Sequence, residues 1–137
     1  MKRSICLKCL IVLGMIMLAG CQTTKDSPNM ITLGVDYSWD GIETCVQTSP
    51  PFTITNIPPG TKYLDFWMDA PNNPGYTHGG SAIEYKGSGN IPKGAIEYNT
   101  QGPCPPSGKS EYIWTVKALN ADKDTVLGKG VKRKPYP

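Results

Sequence analysis

Turn formers interrupt this chain so often that no long helix fits between them. Fifteen glycines and thirteen prolines are spread over 137 residues, and no segment keeps a 3.6-residue apolar stripe for ten residues. Between the interruptions lie short runs with β character: Ile31 to Tyr37, Phe52 to Ile54, Tyr63 to Met68, Ala82 to Tyr85, Ala95 to Tyr98, Tyr112 to Leu119 and Thr125 to Val131. Pro58-Pro59-Gly60, Asn72-Asn73-Pro74-Gly75, Gly87-Ser88-Gly89 and Asn120-Ala121-Asp122 separate them. In the clearest strand, Tyr112, Trp114, Val116 and Ala118 share one face. Ile113 and Leu119 on the other face imply a strand covered on both sides, with Thr115 and Lys117 partly exposed. Asp122 and Asp124 form the polar tip of a hairpin leading into Thr125. The expected fold class is mainly β, a small sandwich or barrel with little helix.

The start of the chain follows a different logic. Lys2, Arg3 and Lys8 precede an apolar run from Cys9 to Leu18, which is followed by Ala19, Gly20 and Cys21. That order describes a secretory signal, and it resembles the bacterial lipoprotein signal, in which the cysteine is acylated and becomes the first mature residue. The apolar run is too short to cross about 30 Å of hydrocarbon. Residues 1–20 are therefore expected to be removed, residues 21–29 to form a lipid-anchored tether, and residues 30–137 to fold as one β domain. Gln22 resembles outer-membrane sorting, which places the domain in the cell envelope facing the periplasm if the host has two membranes.

Removing residues 1–20 takes away three of fourteen cations and none of eleven acids, leaving eleven of each. A neutral chain lacks the basic stripe of a nucleic-acid partner. The late cluster Lys129, Lys132, Arg133 and Lys134 reads as a solvated end. Cys21 to Pro137 comprises 117 residues, enough for one modest core. Cys45 and Cys104 remain as thiols, and in an oxidising compartment they most simply form one disulfide. The rival, a two-cysteine metal site, lacks paired spacing and histidines. No cofactor is expected.

His78 is the single histidine, so acid–base or anion chemistry near neutral pH falls to it. It lies in a glycine-bearing loop, Gly75 to Gly80, where backbone can approach a ligand closely. Asp69 ends the Phe66-Trp67-Met68 run, either as a turn cap or as a group that orients His78 or meets a ligand. Gly102-Pro103-Cys104-Pro105-Pro106-Ser107-Gly108 combines fixed and permissive dihedrals. It is a pocket wall or a structural clamp.

Ser49-Pro50-Pro51-Phe52, Ile57-Pro58-Pro59-Gly60-Thr61-Lys62, the Asp69-Ala70-Pro71 exit, His78, and Gly102-Pro103-Cys104-Pro105-Pro106 followed by the Tyr112–Leu119 strand resemble the phosphatidylethanolamine-binding protein family. Within it the likeness is to the bacterial branch described as Raf kinase inhibitor-like. The resemblance implies a β sandwich with a small pocket for phosphate or a phosphorylated head group. It carries Asp69, His78, Pro103, Ser110 and Tyr112 over as ligand-binding residues. Two departures stand out. The family's Asp-Pro-Asp-x-Pro loop is reduced to Asp69-Ala70-Pro71-Asn72-Asn73-Pro74, and its Gly-x-His-Arg-Tyr turn reads Gly108-Lys109-Ser110-Glu111-Tyr112. Arginine grips phosphate with a fork of donors, whereas glutamate repels it, so Lys109 or backbone amides would have to substitute. Tyr76, Tyr85 and Trp114 are candidate apolar walls.

Three functions follow from this reading. The first is a lipid-anchored, non-enzymatic binding protein for a small polar or anionic ligand. The second is a structural or interaction lipoprotein with a degenerate pocket. The third is a hydrolase using His78 with Ser81 or Ser110 and Asp69, for which no Gly-x-Ser-x-Gly elbow is present.

Overall fold

The computed structural model describes residues 23–75, 77–106 and 109–137, with the Thr77 side chain excepted. Residues 1–20, where a signal is expected, Cys21, the expected lipidation site, and Gln22, Tyr76, Ser107 and Gly108 lie outside the described residues.

Among the described residues, nine strands form two sheets: β1 (Lys25–Thr32), β2 (Gly34–Tyr37), β3 (Phe52–Thr55), β4 (Tyr63–Asp69), β5 (Thr77–Gly79), β6 (Ala82–Glu84), β7 (Asn90–Ile91), β8 (Glu111–Leu119) and β9 (Thr125–Pro135). The larger sheet runs β1-β9-β8-β4-β5, with β6 pairing on β4 as well, and the smaller runs β2-β3-β7. The described residues contain no helix, and the fold is mainly β.

One core fills the space between the sheets. Alternation along β8 turns Tyr112, Trp114, Val116 and Ala118 inward at 1% exposure or less, and β4 supplies Leu64, Phe66 and Met68 at 0%. Tyr37, Phe52 and Ile54 of the smaller sheet meet them. Phe52 packs edge-on to Trp114 and tilted against Phe66, each at 4.9 Å between ring centres, and such pairs add to simple area burial. The outward residues of β8, Ile113, Thr115 and Lys117, are only half-buried. Partial exposure is as expected for Thr115 and Lys117, and of the two residues expected to be covered Leu119 is buried and Ile113 half-buried.

Three expectations change. The run Ile31 to Tyr37 breaks at Leu33, which bonds Lys129 O through its own N at 3.0 Å and is buried as the chain crosses between sheets. The crossing is close. A Cβ on Gly130 would sit 2.6 Å from Leu33 O, so only glycine fits there. Ala95 to Tyr98 is not a strand, because its amides are engaged otherwise: Ile96 N donates to Ser49 Oγ (3.1 Å) and Glu97 N to Ser81 Oγ (3.0 Å). Its apolar residues, Ile96 and Tyr98, are buried all the same.

The third change concerns the tether. Residues 25–29, expected to be unstructured linker, open β1, which runs parallel to β9 with Lys25 opposite Thr125 and Asp26 opposite Val126 before a wide irregularity to Ile31. An edge strand needs only backbone partners on one side, so polar residues suffice, and Pro28 falls in the irregular stretch where no ladder donor is needed. The chain thus enters the sheet at the β8–β9 hairpin end. That hairpin tip is tied by Asn120 Oδ1, which accepts from Asp124 N (3.1 Å) and Thr125 N (3.2 Å).

Candidate functional site

The opposite end of the larger sheet gathers the residues singled out by sequence. β5 pairs with the end of β4 through Met68 opposite Gly79 and Asp69 opposite Thr77, with an irregularity between them. That irregularity holds His78. It turns the imidazole inward, where the residue is 1% exposed. The ring stands edge-on to Tyr112, 5.3 Å between centres, and its Nδ1 lies 2.8 Å from Gln101 O. A carbonyl only accepts, so Nδ1 carries the hydrogen of this bond.

Gln101 belongs to the loop that the disulfide holds. Cys45 and Cys104 are bonded, with Cα atoms 4.5 Å apart and a sequence separation of 59. A short ladder reinforces the bond: Cys45 N donates to Pro103 O and Gly102 N to Val46 O, each at 2.8 Å. Gln47 Nε2 also donates to Thr100 O. Pro103 is buried. Loop, disulfide and imidazole therefore form one fastened unit. His78 O in turn accepts from Asn99 N at 3.0 Å.

Tyr112 links this unit to the core. Its ring meets Trp39 at 5.8 Å and Tyr136 at 6.4 Å, and its carbonyl accepts from Tyr37 Oη at 3.3 Å. Ser110, 9% exposed, accepts from Tyr136 N through its backbone carbonyl at 2.8 Å. His78, Pro103, Ser110 and Tyr112 are thus all buried at this end, with His78 and Tyr112 in direct contact.

Asp69 stands apart from them. Strand alternation places it on the outer face of β4, exposed, where its Oδ1 accepts from Trp67 Nε1 at 3.0 Å. The group that orients His78 is the Gln101 carbonyl instead. Glu111 is outward too. Its carboxylate pairs with Arg133 at 2.8 Å on the outer face, so the repulsion expected from a glutamate beside Tyr112 is directed away from the imidazole. Lys109 is exposed. Ser81 spends its hydroxyl oxygen on Glu97 N, so Asp69, His78 and Ser81 each have separate partners rather than forming a relay.

Two of the candidate walls lie elsewhere. Trp114 is wholly inside the core. Tyr85 lines a shallow concavity of about 240 Å³ with Lys62, Tyr63, Glu84 and Ala121, at the other end of β4. Gln101 was not a candidate from sequence, although its place just before Gly102-Pro103-Cys104 was the available signal. Tyr98 was missed as well. Its buried hydroxyl and the Trp114 indole Nε1, whose rings are 5.7 Å apart, have no hydrogen-bond partner among the described residues, and burial pushes the Tyr98 phenol well above its ordinary range. Among the described residues, no group of three His, Cys, Asp or Glu could hold a metal ion.

No protein-family model and no curated protein matches this sequence. Among solved structures, the chain is similar to a phosphatidylethanolamine-binding protein homologue from Chlamydia trachomatis. The two are 14% identical over 77% of this chain and 97% of that one, with a TM-score of 0.49.

Proposed function

We propose that this chain is a lipid-anchored envelope protein of the phosphatidylethanolamine-binding type, which holds a small anionic, phosphate-like group beside His78 without turning it over. One observation carries the reading: a buried imidazole, fixed at Nδ1 by the Gln101 carbonyl and braced by the Tyr112 ring, on a loop fastened by the Cys45–Cys104 bond. An anion beside an imidazole favours the charged form of the ring. The sequence motifs around Cys104 and Tyr112 add to this. Acylation of Cys21 would hold the domain at the outer membrane, and Cys21→Ala would move it to the soluble fraction.

The test uses the single histidine as its own reporter. Inorganic phosphate or phosphoethanolamine, titrated against the protein, is expected to shift the His78 ring resonances saturably. Ring resonances that stay unmoved across both titrations overturn the reading. A second reading, an interaction lipoprotein with a relict pocket, is favoured by the outward turn of Asp69 and Glu111, which leaves two expected motif positions facing the opposite surface.

A further inference from the structure

The outer face of the larger sheet carries an ordered pattern that neither the fold nor the His78 region uses. Register places three cross-strand rows on β4, β8 and β9: Asp65, Lys117 and Lys129; Trp67, Thr115 and Val131; Asp69, Ile113 and Arg133. Trp67 is 38% exposed and Val131 56%. They flank half-buried Thr115 in the middle row. Acids occupy the β4 side and cations the β9 side, about 10 Å apart, two strand spacings.

We propose that this face seats a second copy of the same chain, about a twofold axis lying along β8. A twofold contact brings one patch against itself, and the axis direction decides which groups meet. An axis parallel to the strands reverses the strand order and preserves the level along each strand. Asp65 then faces the partner's Lys129, Asp69 faces the partner's Arg133, and Trp67 covers the partner's Val131. An axis across the strands would instead lay β4 on β4 and set acid against acid. The parallel axis also fits the near-aligned packing that twisted sheets adopt.

The outer face has the composition of such a contact: exposed Trp67 and Val131 on either side of Thr115 at the centre, and complementary charge on both flanks. Arg133 already holds Glu111 at 2.8 Å, so its pairing with Asp69 across the interface is shared. Lys117 meets its own copy near the axis, with Asp65 beside it in register. The same axis leaves the Lys25 ends of both copies on one side, as two anchors in one membrane require. That last point alone rests on the anchored reading.

Cysteine cross-linking of the full-length protein expressed in its host cells tests the geometry. Thr115→Cys and Ile113→Cys lie along the axis, and each is expected to give a covalent dimer of this chain when treated with a short bismaleimide, which alkylates both thiols and spans the roughly 10 Å between packed sheets. Val131→Cys alone and the exposed Lys86→Cys are expected to give none, whereas Trp67→Cys co-expressed with Val131→Cys gives a mixed dimer. Adding Asp65→Lys and Asp69→Lys to the Thr115→Cys protein, or Lys129→Asp and Arg133→Asp, is expected to reduce its cross-linking at least tenfold. Co-expressing the two charge variants restores it as a heterodimer. Absence of a dimer from both axial cysteines, a Thr115→Cys adduct to a different protein, or charge variants that cross-link as well as the parent overturns the proposal.

Discussion

The inner and outer faces of β4, β8 and β9 belong to the same residue run and could hardly differ more. Inward, Leu64, Phe66, Met68, Trp114, Val116 and Ala118 are entirely excluded from solvent. Outward, one residue along in each case, Asp65, Trp67, Thr115, Lys117 and Val131 are partly or fully exposed. A strand period of two means that adjacent motif residues serve opposite surfaces. Glu111 and Tyr112 illustrate this, since one pairs with Arg133 outside and the other braces His78 inside. Contiguity in a motif is therefore no guide to co-location in a site.

The sharpest way to break the comparison is to truncate one residue on each face at neighbouring positions. Trp114→Ala removes a fully buried ring and is expected to cost about 3–5 kcal/mol, whereas Thr115→Ala should stay within about 0.5 kcal/mol. Denaturant midpoints measure both. Equal losses would mean that the outer face is covered by something as tightly packed as the core.

Next in size is the fastening of the inner-face loop. Replacing Cys45 and Cys104 together by Ala is expected to cost about 2–4 kcal/mol through the freed loop, lowering Tm by about 4 °C per kcal/mol. The ladder from Cys45 N to Pro103 O persists on paper, so the His78 ring signals test whether it suffices alone. If they keep their folded positions without the disulfide, hydrogen bonding holds the loop and the covalent bond is secondary.

A smaller effect of opposite sign sharpens the inner side. The Tyr98 hydroxyl is buried with no partner among the described residues, so Tyr98→Phe removes a desolvated polar atom and should be neutral or stabilising by up to about 1 kcal/mol. A clear loss of stability would reveal that the hydroxyl is hydrogen-bonded after all. The smallest effect concerns the charges that join the sheets. Asp36 on β2 lies 2.8 Å from Lys134 and 3.7 Å from Lys132 of β9, and the Lys134 hydrogen bond holds its carboxyl below the usual range. Its contribution is therefore present above the unfolded carboxylate pKa near about 3.9 and is lost as pH falls through the lower folded value. Asp36→Asn should flatten this part of the acid stability profile by under about 1 kcal/mol, since the pair is exposed.

Much of the larger sheet could be read from the chain because apolar alternation is a local signal. Tyr112 to Leu119, Tyr63 to Met68 and the Asn120–Asp124 tip announce themselves in this way, and the Cys45–Cys104 bond follows from counting thiols. What the chain concealed depends on partners distant in sequence. Ala95 to Tyr98 has strand composition, yet its amides answer to Ser49 and Ser81 hydroxyls. Lys25 to Asn29 has linker composition, yet the edge of β9 accepts it. At the site, His78 was visible as the lone histidine. Its orienting group was not, because a backbone carbonyl leaves no trace in residue type.

The early docking of β1 changes how far the domain can stand from a membrane. With Lys25 already paired opposite Thr125, only four residue steps separate it from Cys21, a reach of at most about 14 Å. A lipid on Cys21 would keep the β8–β9 hairpin tip close to the head groups. His78 lies towards the other end of β4, past the six steps from Tyr63 to Asp69, a further 20 Å or so. A pocket there would open away from its own bilayer. Its ligand would then arrive from the surrounding aqueous space or from an apposed surface, and the lipids beneath the anchor would be the ones it could not sample.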